Sequence, residues 1–222
     1  TLNQNESIEE TPFVYDSTLK SKLSVSFIEG VYPTANKAGL IKTDAEIHGI
    51  ILKGVDKDYN WSYIISNLTS GEIPQYIENK RSNDVVISKI IADKLLLNVG
   101  DDVRIWFVGD DMKTRGRKFT VKGIYETGLT ECDERFIYCD LNQIRRLNGW
   151  ENDYVGHLEI ELKDNINAED ANNYIYYNIP TYLTSYTARE MYPHIFDWLD
   201  LQDMNVVIII ALMLLVAGIT II

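Results

Sequence analysis

The sequence predicts an α+β fold followed by the start of a membrane-spanning helix, and three observations carry that prediction. Short β-branched and aromatic runs alternate with short helical patterns, without repeats or long linkers. The composition is that of a folded chain: 24% of the 222 residues are charged and 45% hydrophobic, enough for one sizeable core or two small lobes. No charge follows Asp203, and residues 206–222 read VVIIIALMLLVAGITII.

Residues 1–11 are polar and read as a loose lead-in. A helix is expected over 17–26, a strand over 27–32, a turn at Pro33, and strands over 38–42 and 47–55. The stretch 59–68 reads as a short helix ending near Gly71. A strand over 84–87 leads into a helix over 88–97 that stops before Gly100. Strands over 103–108 and 118–125 flank 109–117, whose two glycines and five charges read as a hairpin loop. A strand over 136–139, a short helix over 142–147, a strand over 158–162, a helix over 168–177 and an extended 182–186 follow.

The terminal segment has its own logic. A bilayer span needs roughly 20 apolar residues, and 206–222 is still apolar where the chain ends, so it reads as a truncated span. A buried core helix would carry a polar face at helical spacing, and none is present. No Lys or Arg lies between Arg189 and the apolar run, which places this flank on the external side. Tyr192, Phe196 and Trp198 stand where an interfacial aromatic belt is expected. Thr187-Ala188-Arg189-Glu190 has the spacing of a capping box, and Pro193 should kink the helix or restart it. From Pro193 onward a continuous helix would extend about 45 Å, a mechanical connection from folded domain to membrane.

Several function classes find no support. The net charge of −12 argues against nucleic-acid binding, since no excess of Lys and Arg exists to neutralise phosphates. There is no HExxH, CxxC or GxSxG, and no Gly-Lys dipeptide, so a Walker-type phosphate loop is absent. His48, His157 and His194 lack ligand spacing and read as packing or surface residues. Cys132 and Cys139 form no disulfide framework and read as free thiols. The sequons at Asn60 and Asn67 are short enough to arise by chance. No catalytic, cofactor-binding or metal-binding residue is predicted.

One resemblance rests on particular residues. Asp84-Val85-Val86-Ile87-Ser88, then Ala92, Leu95 and Val99-Gly100-Asp101, resembles a recurring segment of MacB-like periplasmic core domains. The stretch from Phe119 through Gly123 and Tyr125 to Gly128-Leu129, and then Asp140-Leu141 with Ile144, resembles the continuation. Ile195-Phe196-Asp197-Trp198-Leu199 leading into the apolar run resembles the start of a second transmembrane helix. Within these FtsX-like ABC transporter permeases the pattern is most similar to the LolC/LolE lipoprotein-releasing type.

The resemblance implies a two-lobed periplasmic domain. A mixed α/β porter-like lobe would comprise 1–60 and 151–187, and a β-rich sabre-like lobe 61–150. A connecting helix over 188–205 and the truncated span over 206–222 would complete the chain. The implied role is non-enzymatic: release of lipoproteins from the bacterial inner membrane to a periplasmic carrier, driven by a separate cytoplasmic ATPase subunit. A partner permease subunit or second copy is implied as well. In LolC-type members a long hairpin loop hooks the carrier. Its counterpart here, 110–116, is short and has no proline, and Asp111, Met112, Lys113, Thr114 and Arg115 are its candidate partner-binding residues. Thr187, Glu190, Pro193 and Trp198 are the candidates for mechanical coupling. MacB-type efflux or export, and FtsX-like regulation of a cell-wall hydrolase, are the alternatives.

Overall fold

The computed structural model describes residues 1–3, 11–42, 47–78, 80–108 and 114–220. They form two units, one ending at Ser185 and one beginning at Tyr186. The first opens with β1 (Leu2–Asn3), β2 (Phe13–Val14), α1 (Ser17–Leu23), β3 (Ile28–Lys42) and β4 (Ile47–Val55). Then come α2 (Ser62–Ser66), β5 (Leu68–Gly71), β6 (Asp84–Ser88), α3 (Lys89–Leu95), β7 (Asp102–Val108) and β8 (Thr114–Tyr125). It closes with α4 (Thr130–Asp133), β9 (Phe136–Asp140), α5 (Leu141–Asn148), β10 (Tyr154–Val155), β11 (His157–Leu162), α6 (Ala168–Asn178) and β12 (Thr184–Ser185). The second unit holds α7 (Ala188–Met191) and α8 (Pro193–Thr220).

Six strands close on themselves. β3 pairs with β4, β4 with β9, β9 with β6, β6 with β8, β8 with β7, and β7 returns to β3 at Leu40↔Trp106 and Ile41↔Ile105. Closure removes the exposed edges that an open sheet would present. One side of each strand is apolar and buried: Ile41 on β3, Ile50 and Leu52 on β4, Val85 and Ile87 on β6. Val103, Ile105 and Phe107 on β7, Phe119 and Val121 on β8, and Ile137 on β9 complete this lining. Outside the ring, β11 pairs with the first half of β3, and β1 and β12 extend the sheet beyond it. Strand pairing therefore joins residues on both sides of position 61.

Local rules place the helices. Ser88 caps α3 by accepting from the Ile91 amide at 3.1 Å, and Asp140 caps α5 by accepting from Asn142 at 2.9 Å. The buried Asp133 carboxylate closes the turn after β8, accepting from the Thr127 hydroxyl at 2.7 Å and the Thr127 and Gly128 amides.

Two strand expectations are corrected. Pro33 does not end a strand but lies within the 15-residue β3. Thr34 accepts from the Gly156 amide on the β11 side, so Pro33 points its backbone the other way. There the β4 ladder has already stopped at Thr34↔Val55, and the missing N–H costs nothing. Likewise β8 begins at Thr114 rather than near 118, paired to Val108 of β7.

The third correction concerns the terminal segment. Residues 188–205 hold parts of two helices, α7 and α8, rather than one. Among the described residues no helix is long and apolar enough to cross a membrane. The described apolar side chains of α8 cover 206–214 and 216, about 16 Å of helix and roughly half of a bilayer core. They are exposed on every face.

Candidate functional site

The candidate partner-binding residues fall at the β7–β8 hairpin. Asp111, Met112 and Lys113 lie outside the described residues. Thr114 and Arg115 are strand residues, not loop residues, and Arg115 stands opposite Phe107. Gly116, read in the sequence as a loop former, faces Trp106 across the ladder. A Cβ on it would sit 3.0 Å from the indole, so any larger residue would require the ring to shift by a few tenths of an ångström. The Arg104 guanidinium lies 5.8 Å from that ring. β7 and β8 together carry Arg104, Arg115, Arg117, Lys118 and Lys122 against the single acidic residue Asp102. Of these, Arg104, Lys118 and Lys122 share the outward face with Trp106, whereas Arg115 and Arg117 stand opposite Phe107 and Ile105 on the other face. Both lysines are tied down, Lys118 to Asp102 and Lys122 to Glu72, each at 2.7 Å.

A second cluster escaped the sequence reading. On the outward side of β4, Lys53 forms an ion pair with Glu159 of β11 at 2.7 Å and donates to the Tyr59 hydroxyl at 3.3 Å. Its ammonium also lies 5.4 Å from the Tyr59 ring and 5.3 Å from that of Tyr138. Trp61 packs edge-on against Tyr59 at 5.2 Å. Next to it, Glu161 accepts from the Tyr32 hydroxyl at 2.7 Å and from both contacts of the Asn60 amide. Burial by itself would lower the Lys53 pKa, but the Glu159 charge and the two tyrosines hold it well above its ordinary value. For Glu159 burial pushes upward, and Lys53 with His157 overrules it, keeping the carboxyl well below the usual range. This joint ties β11 to the barrel wall. No spacing rule finds it, because its parts come from distant strands.

The coupling candidates belong to the second unit. Thr187 accepts from the Glu190 amide at 3.2 Å, and the Glu190 carboxylate accepts from the Thr187 amide at 2.7 Å, a complete capping box. Pro193 occupies the first position of α8, where its missing N–H would be unpaired in any case. Trp198 is exposed on α8. Arg189 binds Asp200 at 2.9 Å and lies 5.2 Å from the Phe196 ring.

A polar cleft of about 430 Å³ is lined by Asp56, Lys57, Tyr76, Glu78, Asp140 and Arg145, among others. Lys57 and Glu78 pair at 2.7 Å, and Arg145 donates to the Tyr154 carbonyl at 2.9 Å. Burial raises the Asp56 carboxyl. Among the described residues no group of His, Cys, Asp or Glu is arranged to hold a metal ion. Cys132 and Cys139 are free thiols, and burial raises both, Cys139 most strongly.

A model of the MacB-like periplasmic core domain matches residues 4–175. The chain belongs to that family. The extracellular domain of the noncanonic ABC-type transporter YknZ from Gram-positive bacteria is similar, with a TM-score of 0.53 at 17% identity. That likeness covers 84% of this chain and 98% of the other. The periplasmic region of MacB from Actinobacillus actinomycetemcomitans has a TM-score of 0.49 at 14% identity, covering 75% of this chain and 73% of that one. No curated protein matches the sequence. As a MacB-like core domain, the chain is the periplasmic domain of a MacB-like ABC transporter permease, a family whose transporters carry a cytoplasmic ATPase. The match is to the MacB-like family as a whole and does not single out its LolC/LolE branch.

Proposed function

We propose that this domain transmits ATP-driven movement from the bilayer to a periplasmic partner, and that the cargo is a lipoprotein released from the inner membrane. The observation that carries the mechanical part is the second unit. A capped turn restarts at Pro193 into a 28-residue helix whose described side chains from 206 onward are apolar and exposed. Such a surface in water is a liability, and in lipid it is an anchor. The lipoprotein reading rests on the order of LolC/LolE-like motifs from Asp84 to the terminal helix. In that reading 1–60 with 151–187 form the porter-like lobe and 61–150 the sabre-like lobe, and the outward side of β7–β8 that carries Arg104 and Lys118 faces an acidic periplasmic carrier.

Inserting a flexible Gly/Ser linker at Asp203 of the permease tests the coupling. ATP hydrolysis should continue while lipoprotein release stops, and unimpaired release would sink the proposal. Cross-linking from Thr114 decides the partner. A lipoprotein carrier supports this reading, a tripartite efflux adaptor moves it to MacB-type export, and a cell-wall hydrolase moves it to FtsX-like regulation.

A further inference from the structure

α7 and α8 meet at Tyr192, whose φ of −130° and ψ of 57° belong to neither helix. Three of its backbone hydrogen bonds divide between the two. The Tyr192 N–H donates to the Ala188 carbonyl of α7 at 2.9 Å. Its carbonyl accepts from Ile195 and Phe196 of α8 at 3.1 and 3.4 Å. Pro193 adds no N–H and fixes its own φ. Rotation about the Cα–C bond of Tyr192 therefore carries the carbonyl with α8 and the N–H with α7, and breaks none of these bonds. α7 does not depend on α8 for its shape either, since the Thr187–Glu190 capping box closes it internally.

Arg189 spans this swivel. From the second residue of α7 its guanidinium reaches Asp200 with two contacts, at 2.9 and 3.4 Å, and covers the Phe196 ring. Phe196 and Asp200 are one turn apart, so they present a single face to it. We propose that Arg189 is a latch across the Tyr192 swivel, holding α7 at one angle to α8 and releasing it without the loss of either helix. The paired contacts with the carboxylate set the angle. The exposure of both partners, 56% each, makes the latch weak and open to screening by salt. Its use in transmission rests on the permease reading, whereas the latch itself is tested by distances alone. One can therefore fail without the other.

The test places spin labels at Ala188→Cys and Gln202→Cys on a Cys132→Ser background, with the full chain in lipid nanodiscs. At about 0.05 M salt the latched protein should give one narrow distance distribution. Arg189→Gln and Asp200→Asn should each broaden it and shift its mean; the second leaves α7 itself untouched. Raising salt to about 0.5 M should broaden the parent in the same way and leave the variants unchanged. The swap Arg189→Asp with Asp200→Arg should restore the narrow distribution. A distribution unchanged in both single variants, or a broadening that the swap does not reverse, overturns the latch.

Discussion

The barrel and the helical unit treat apolar side chains in opposite ways. In the barrel they alternate along each strand, and the closed ring removes one side from water, so Phe107 is only 2% exposed. In α8 they surround the helix, and Met213 is 67% exposed. The first arrangement supplies its own folding energy. The second gains nothing until another phase or molecule covers it. The Lys53–Glu159 joint stands between these extremes, a charged pair withdrawn from water by a wall of aromatic rings.

The contrast can be broken at its strongest point first. Phe107→Ala should cost about 3–5 kcal/mol, read as a lower urea midpoint of the tryptophan signal. Gly39→Leu should also destabilise, because a Cβ there would already lie 2.8 Å from Ile105 and 3.0 Å from Phe107.

The joint should come next. Lys53→Met leaves the Glu159 carboxylate without its cation, at a cost of roughly 2–3 kcal/mol at neutral pH, moderated by its partial exposure. The pH dependence sharpens this. In the parent, the depressed Glu159 pKa contributes stability that is present above its ordinary 4.5 and is lost as pH falls toward the folded-state value. In Lys53→Met burial is opposed by His157 alone, so the depression of that pKa shrinks and the variant should lose less stability on acidification. Unfolding midpoints compared at about pH 7 and pH 4 should therefore narrow the gap between the two proteins. A gap that stays constant would show that the charge pair contributes nothing to the joint.

Smaller effects belong to the helical unit. Thr187→Ala should cost about 1 kcal/mol of local stability, seen as faster hydrogen exchange at the Glu190 amide with the barrel midpoint unmoved. Least of all, Leu212→Ser should change the barrel midpoint by less than about 0.5 kcal/mol. It should nevertheless weaken retention of the chain on lipid vesicles in a flotation assay.

How far each feature could be read from sequence follows the range of the interaction behind it. The capping box of Thr187 and Glu190 and the restart at Pro193 lie within seven consecutive residues, and the structure reproduces them. The helices after Ser88 and Asp140 are equally local. Pro33 and Gly116 were misread because both carry turn signals, and only their neighbours across the sheet reveal why a strand tolerates them. The Lys53–Glu159 joint gave no signal at all: two charges in separate strands look like any other pair of solvated residues.

Hydrophobic alternation, caps and the charge-free terminus thus determined the α+β class, most elements and the presence of an unsatisfied apolar helix, since each depends on residues close along the chain. Tertiary structure alone decided that six strands close into a ring, that a lysine is held among tyrosines on its outer wall, and that Arg189 reaches across the break at Tyr192. Those depend on register and on side chains brought together after the strands have paired. The terminus itself was legible as apolar, but that its described side chains over 206–214 are exposed on every face is a tertiary fact, because only the folded chain decides what packs against a helix.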